Sequence, residues 1–159
     1  MHRNIAKLRS PDLPTISFDA SPWGGGGILW RHARAVSYTH FVWSDVSLDI
    51  IKAKRGGSRG QTAFEFFTLF VVAVTYNGVL ADTGVLIRGD NLGALNGALS
   101  LNSTAPAMNC ISRELAWRRI VNGWQYKLKH LPAEMNDEAD ALSRLKAVPK
   151  RLFPIAALQ

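Results

Sequence analysis

Four acidic residues, far apart in the chain, fall where rigid elements could hold them. Asp19 closes Thr15-Ile-Ser-Phe-Asp19, whose alternating Ile16 and Phe18 read as a strand. Asp90 closes Gly84-Val-Leu-Ile-Arg-Gly-Asp90, a short apolar run of the kind found in buried parallel strands. Glu65 stands early in the apolar, helix-like segment 62–76, and Asp140 lies in the short helical stretch 136–145. Carboxylates are hard oxygen ligands, and three or four of them meeting at one point suit Mg²⁺, which keeps waters and substrate oxygens in its remaining positions. A pair of such ions ~4 Å apart can activate a water and stabilise a leaving oxygen, which is the chemistry of phosphodiester hydrolysis. Without a cation the acids would repel one another, and at least one would hold its proton above the ordinary range.

Each acid also has a local alternative. Asp19 could form a strand-end turn, and Asp90, just before Asn91, could cap the following helix. Glu65 could complete a capping box with Thr62. Asp137 and Glu138 compete with Asp140, and Asp137 lies one turn earlier on the same helical face.

The elements that must bring these residues together follow from the patterning. After the first strand, Gly24–Gly27 reads as hairpin punctuation. Segments 28–30 and 35–43, rich in β-branched and aromatic residues, read as two further strands. Residues 44–60 read as a mobile basic loop carrying Lys52, Lys54, Arg55 and Arg59, a candidate phosphate-contacting segment. The helix over 62–76 is ended by Asn77-Gly78. Helices are expected at 91–101 and 107–121, the second with Ile111, Leu115 and Ile120 on its buried stripe. Trp124 to His130 alternates as a half-buried strand. The order is βββαβααβα, an α/β domain with a five-stranded mixed sheet: three antiparallel strands plus two parallel ones, flanked by helices. The helical crossover requires the Asp90 strand to lie parallel to a neighbour, which is expected to be the first strand. Both acids would then project from adjacent carboxyl ends of the sheet.

Composition narrows the partner. The chain has 159 residues, a formal charge of +7 and a pI near 10.0, which favours a polyanion, most simply nucleic acid. A single cysteine, Cys110, excludes an internal disulfide framework and suits a reducing, intracellular compartment. The start of the chain lacks the pattern of a secretion signal. The longest apolar run, 66–76, is well short of the ~20 residues that span a bilayer. One domain at 14–146 is expected, between a basic arm (1–13) and a basic, proline-broken tail (147–159).

Taken together, Phe18-Asp19-Ala-Ser, Glu65, Arg88-Gly-Asp90-Asn91 and the closing His130-Leu-Pro-Ala-Glu-Met-Asn136-Asp-Glu-Ala-Asp140-Ala-Leu-Ser-Arg144 resemble the ribonuclease H family, nearest to its members attached to retroelement reverse transcriptases. The likeness spans 15–145, and the closing motif is its most specific part. The resemblance implies endonucleolytic cutting of the RNA strand of an RNA–DNA hybrid, with two ions of Mg²⁺ or Mn²⁺ held by Asp19, Glu65, Asp90 and Asp140. It also leaves room for a reverse transcriptase polyprotein as context. Ser21, Gly24 and Asn91 lie beside the acids and are candidate substrate contacts. Many members carry a histidine in the loop before the last helix. Here that loop has none, and His130, on the preceding strand, reads as structural. Two other functions stay open: a nuclease-inactive module of this fold that only binds nucleic acid, and a DNA nuclease of the resolvase or integrase type.

Overall fold

A computed structural model describes residues 13–57, 60–81, 84–91, 106–130 and 136–144. All but the first residue of the expected helix at 91–101, Arg59, the C-terminal tail and all but the last residue of the basic arm lie outside the described residues. Three strands open the domain: β1 (Thr15–Ser21), β2 (Gly24–Arg31) and β3 (Arg34–Val42). Then come α1 (Asp45–Ile51), α2 (Gln61–Thr75), α3 (Asn77–Leu80), β4 (Gly84–Gly89), α4 (Pro106–Asn122), β5 (Gln125–His130) and α5 (Asp137–Ser143). They form one five-stranded sheet in the order β3-β2-β1-β4-β5. β1 pairs antiparallel with β2 and parallel with β4, and β4 runs parallel to β5. The expected neighbour of the Asp90 strand is therefore the observed one. Among the described residues no helix is long and apolar enough to cross a membrane.

The strand period of two divides the core. Phe18, Leu29 and Ile87 face α2 and α4 in the main cluster with Phe64, Leu69, Val72, Leu115 and Trp124. Ile28 faces the other way, into a small second cluster with Ala35 and Leu142 of α5. Helices thus cover both faces of β1 and β2.

Three expectations are corrected. The Gly24–Gly27 run is not a turn but the first half of β2, fully buried. The reason is clearance: a Cβ on Gly25 would strike Thr68 and Phe41, and one on Gly27 would lie 2.5 Å from Val72 Cγ2, both on the α2 side. On the opposite side, a Cβ on Gly26 would strike Leu142 and come within 3.1 Å of the Ser143 nitrogen. Only a strand without side chains lets α2 and α5 approach it this closely. Residues 44–60, read as a loop, contain α1, whose Leu48 and Ile51 are buried and whose Ser44 side chain accepts the Ser47 N–H. Beyond α1 the segment is tied at Gly56, whose N–H donates to the Pro22 carbonyl at 2.9 Å. Finally, Ile120 is 77% exposed. Five residues beyond Leu115 is about 140° around a helix, which turns Ile120 out of the stripe. α2 itself ends at Thr75, just before Asn77-Gly78 as expected, and Asn77–Leu80 then form the short α3.

The glycine account makes a paired prediction. Gly27→Ala forces a methyl into Val72 and should cost about 1–3 kcal/mol in urea unfolding. Gly78→Ala in α3, with nothing within 4 Å of the new methyl, should be neutral or slightly stabilising. Equal effects of the two would remove the clearance argument.

Candidate functional site

The acids converge. One carboxylate oxygen from each of Asp19, Glu65 and Asp90 lies within 4.8 Å of the other two, although the three come from β1, α2 and the end of β4. They line a cleft of about 580 Å³ together with Ala20, Gln61, Asn91, Asp137, Asp140 and Arg144. The cleft opens where β1 and β4 part company, because their pairing ends at Ser17 and Arg88 while each strand runs on to its acid.

Asp140 borders this cleft without belonging to the closest triad. Its Oδ1 accepts from Arg144 Nε at 2.8 Å, one turn further along α5. Its charge is nevertheless felt by Asp19 and Asp90. Asp137 lines the cleft too, whereas Glu138, the third candidate on α5, does not.

The closing motif explains itself in hydrogen bonds. Asn136 Nδ2 donates to the Phe18 carbonyl at 2.9 Å, and Ser143 Oγ lies 3.2 Å from Asp19 Oδ2 and 2.8 Å from the Asp140 carbonyl. Ser21 Oγ donates to the Ser143 carbonyl at 2.6 Å. These bonds fasten α5 across β1, one on each side of Asp19. Ser21, expected near substrate, is buried and spends its hydroxyl on this fastening; Gly24 is buried between β3 and α5. Asn91 does line the cleft. Lys52 pairs with Asp49 at 3.2 Å, and Arg55 donates to the Trp43 carbonyl and to Asp45, so neither borders the cleft, nor does Lys54. His130 stands at the end of β5, its Nε2 3.0 Å from the Asp90 carbonyl.

Gln61 was not singled out from sequence. Its side-chain amide donates to the Ala20 carbonyl and to Glu65 Oε1, both at 2.8 Å, and so ties the carboxylate of α2 to the strand bearing Asp19. The signal was present in the i, i+4 spacing of Gln61 and Glu65. The capping-box alternative for Glu65 is not realised: α2 starts after Gly60 with no side-chain cap, which places Thr62 inside the first turn.

Electrostatically the cluster is expensive. Glu65 is 2% exposed, and burial first, then the charges of Asp19 and Asp90, push its carboxyl up to about 10. Asp19 is pushed up to about 7 by burial, with Asp90 the largest charge acting on it. Burial also raises Asp90. Glu65 Oε2 is buried and has no hydrogen-bond partner, although its twin oxygen has one. A buried acceptor left bare is costly. A divalent cation would satisfy that oxygen and reverse the repulsion, so the donor set fits one: hard oxygens, clustered, with an open side for water.

With this geometry in view, the relatives are informative. LC11-RNase H1, isolated from compost by a metagenomic approach and solved in complex with an RNA/DNA hybrid, superposes with a TM-score of 0.61 at 14% identity, over 87% of this chain and 99% of that one. The fold is ribonuclease H-like. RNase H1 from the archaeon Halobacterium salinarum NRC-1 gives a TM-score of 0.56 at 20% identity, covering 81% of this chain and 92% of its own. The prototype foamy virus protease-reverse transcriptase gives 0.51 at 10% identity, over 77% of this chain but 16% of that longer one. No protein-family model matches the chain, and no curated protein matches its sequence. The ribonuclease H-like likeness is thus one of backbone architecture, and the acids must be argued from their own geometry.

Two outcomes follow from the electrostatics. A carboxyl whose folded pKa lies above its unfolded value stabilises the fold below about pH 4, and that contribution is lost as pH rises through the folded value. In chelator, Asp19→Asn should therefore gain stability relative to the native chain as pH goes from about 5 to 8, by up to a few kcal/mol. Saturating Mg²⁺ at the upper pH should reverse the order, and a difference flat in pH would refute the assignment. Separately, Gln61→Ala should raise the Mg²⁺ concentration needed for half-maximal thermal stabilisation about 10–100-fold, with little change in the chelated Tm.

Proposed function

We propose that this domain hydrolyses the RNA strand of RNA–DNA hybrids endonucleolytically, with Asp19, Glu65, Asp90 and Asp140 as ligands for two divalent cations, Mg²⁺ or Mn²⁺. The observation that carries the proposal is the convergence of three carboxylates from three separate elements within 4.8 Å, one of them with a bare, buried oxygen. Bound ions would supply Lewis-acid polarisation of the phosphate and an activated water.

The chain's own residues set the conditions for that chemistry. Asp19 is the pivot, held by Ser143 from one side and by its strand pairing with Gly26 from the other. Gln61 keeps Glu65 Oε1 turned to the strand and leaves Oε2 for the cleft. Arg144 holds Asp140 at the mouth, where the carboxylate can exchange its guanidinium partner for a cation. Asn91, which lines the cleft, would touch the hybrid, whose ribose 2′-hydroxyls in a wide minor groove distinguish RNA from DNA. The net charge of +7 supports phosphate-driven, nearly sequence-independent binding. Lys52, Lys54, Arg55 and Arg59 would serve as more distant phosphate contacts. We take 14–146 as the working unit, with the basic arm and tail as auxiliary grips, and the foamy virus likeness fits a reverse transcriptase setting.

The test compares hybrid, RNA duplex and DNA duplex in Mg²⁺. The native chain should cut only the RNA strand of the hybrid, and Asp19→Asn should fall to background while still binding it. Binding without cutting by the native chain would mark a nuclease-inactive module, and cutting of DNA duplex would place the activity in the resolvase class.

A further inference from the structure

Among the described residues the outer face of the sheet is covered mainly over β1 and β2. α5 packs on these strands and reaches β3, and no described helix packs to a like extent on the outer face of β4 and β5. Val85 and Ile87 of β4 point into the main core, as Tyr126 and Leu128 of β5 do, so Leu86, Arg88, Lys127 and Lys129 point outward. The parallel register sets Arg88 beside Lys129 and Leu86 beside Lys127. Successive outward residues rise about 6.6 Å and neighbouring strands lie about 4.8 Å apart, so Arg88, Lys127 and Lys129 spring from one small area of the sheet.

Among the described residues the patch is short of counter-charge. No described carboxylate lies within ion-pair distance of Lys127 or Lys129. Arg88 stacks over the Trp30 ring at 5.9 Å, feels the charge of Glu138, and keeps a buried Nε with no hydrogen-bond partner. Lysines on β5 alone could be explained as guards on an open sheet edge. Arg88 is one strand further in, where no edge needs guarding.

Position gives the patch its meaning. Arg88 and Lys129 immediately precede Gly89-Asp90 and His130, whose ring meets the Asp90 carbonyl. The stripe therefore starts beside the acidic cleft and runs away from it down this outer face. We propose that the outer face of β4 and β5, through Arg88, Lys127 and Lys129, is a second nucleic-acid surface that takes the phosphate backbone of duplex extending past the cleft. The surface acts through charge alone and binds whether or not the acids cut.

Fluorescence anisotropy of the full chain with labelled hybrid, in chelator and over about 50–200 mM salt, tests this directly. Each phosphate contact contributes about 0.9 to the slope of log affinity against log salt, so Lys127→Gln/Lys129→Gln should lower the slope by nearly 2. The loss should be seen with a long hybrid and vanish with one too short to leave the cleft. The control Arg31→Gln/Arg113→Gln removes the same charge from exposed positions elsewhere and should leave the slope nearly unchanged. A stripe variant with the native slope, or with the slope of the control, would overturn the proposal and leave the lysines as edge guards. Because binding is read without metal, an inactive native chain would sink the hydrolytic reading and leave this result untouched.

Discussion

The structure depends on how closely two helices approach the glycine half of β2. Gly26 is the cross-strand partner of Asp19, and α5 rests against it through Ala139, Leu142 and Ser143. From the other side α2 closes on Gly25 and Gly27 through Thr68 and Val72. Side chains at these positions would hold the helices off the sheet, and Glu65 and Ser143 would lose reach to Asp19. A run that offers no side-chain burial of its own thus sets the separation of every acid in the cleft.

Closeness then creates the electrostatic problem that gives the site its character. Two carboxyls that are almost wholly buried, with a third beside them, cannot all ionise at neutral pH without compensation. The fold supplies partial remedies: the Gln61 amide on Glu65, the Ser143 hydroxyl on Asp19 and the Arg144 guanidinium on Asp140. None of them reaches Glu65 Oε2. A core element retaining such a defect is difficult to explain by stability alone, since an apolar residue there would cost less. A cation-binding role accounts for it.

Much of this was legible in the chain. The strands carrying Asp19 and leading to Asp90 could be read from apolar alternation and a short apolar run, although β1 runs on past Asp19 to Ser21 and β4 buries only alternate residues. Their parallel adjacency followed from the crossover rule. The glycine run misled because close approach of a helix to a strand leaves no local signature: the reason for Gly26 lies in Leu142, far along the chain. α1 was hidden by its basic surroundings, although Leu48 and Ile51 are spaced as a buried helical pair. Ile120 was assigned to the core by residue type when its angle around the helix put it outside. The closing motif could be recognised as a pattern, but what Asn136, Ser143 and Arg144 do required knowing which atoms they face.

The central claim is that these distant acids grip cations in common, and anomalous diffraction from crystals soaked in Mn²⁺ addresses it without reference to any activity. The account predicts a peak in the cleft bonded to Asp19 and to at least one of Glu65 and Asp90, at the roughly 2.0–2.2 Å of a hard-cation–oxygen bond. A cleft that stays without a peak at saturating Mn²⁺, or a peak held by other residues while Glu65 Oε2 remains bare, would contradict it.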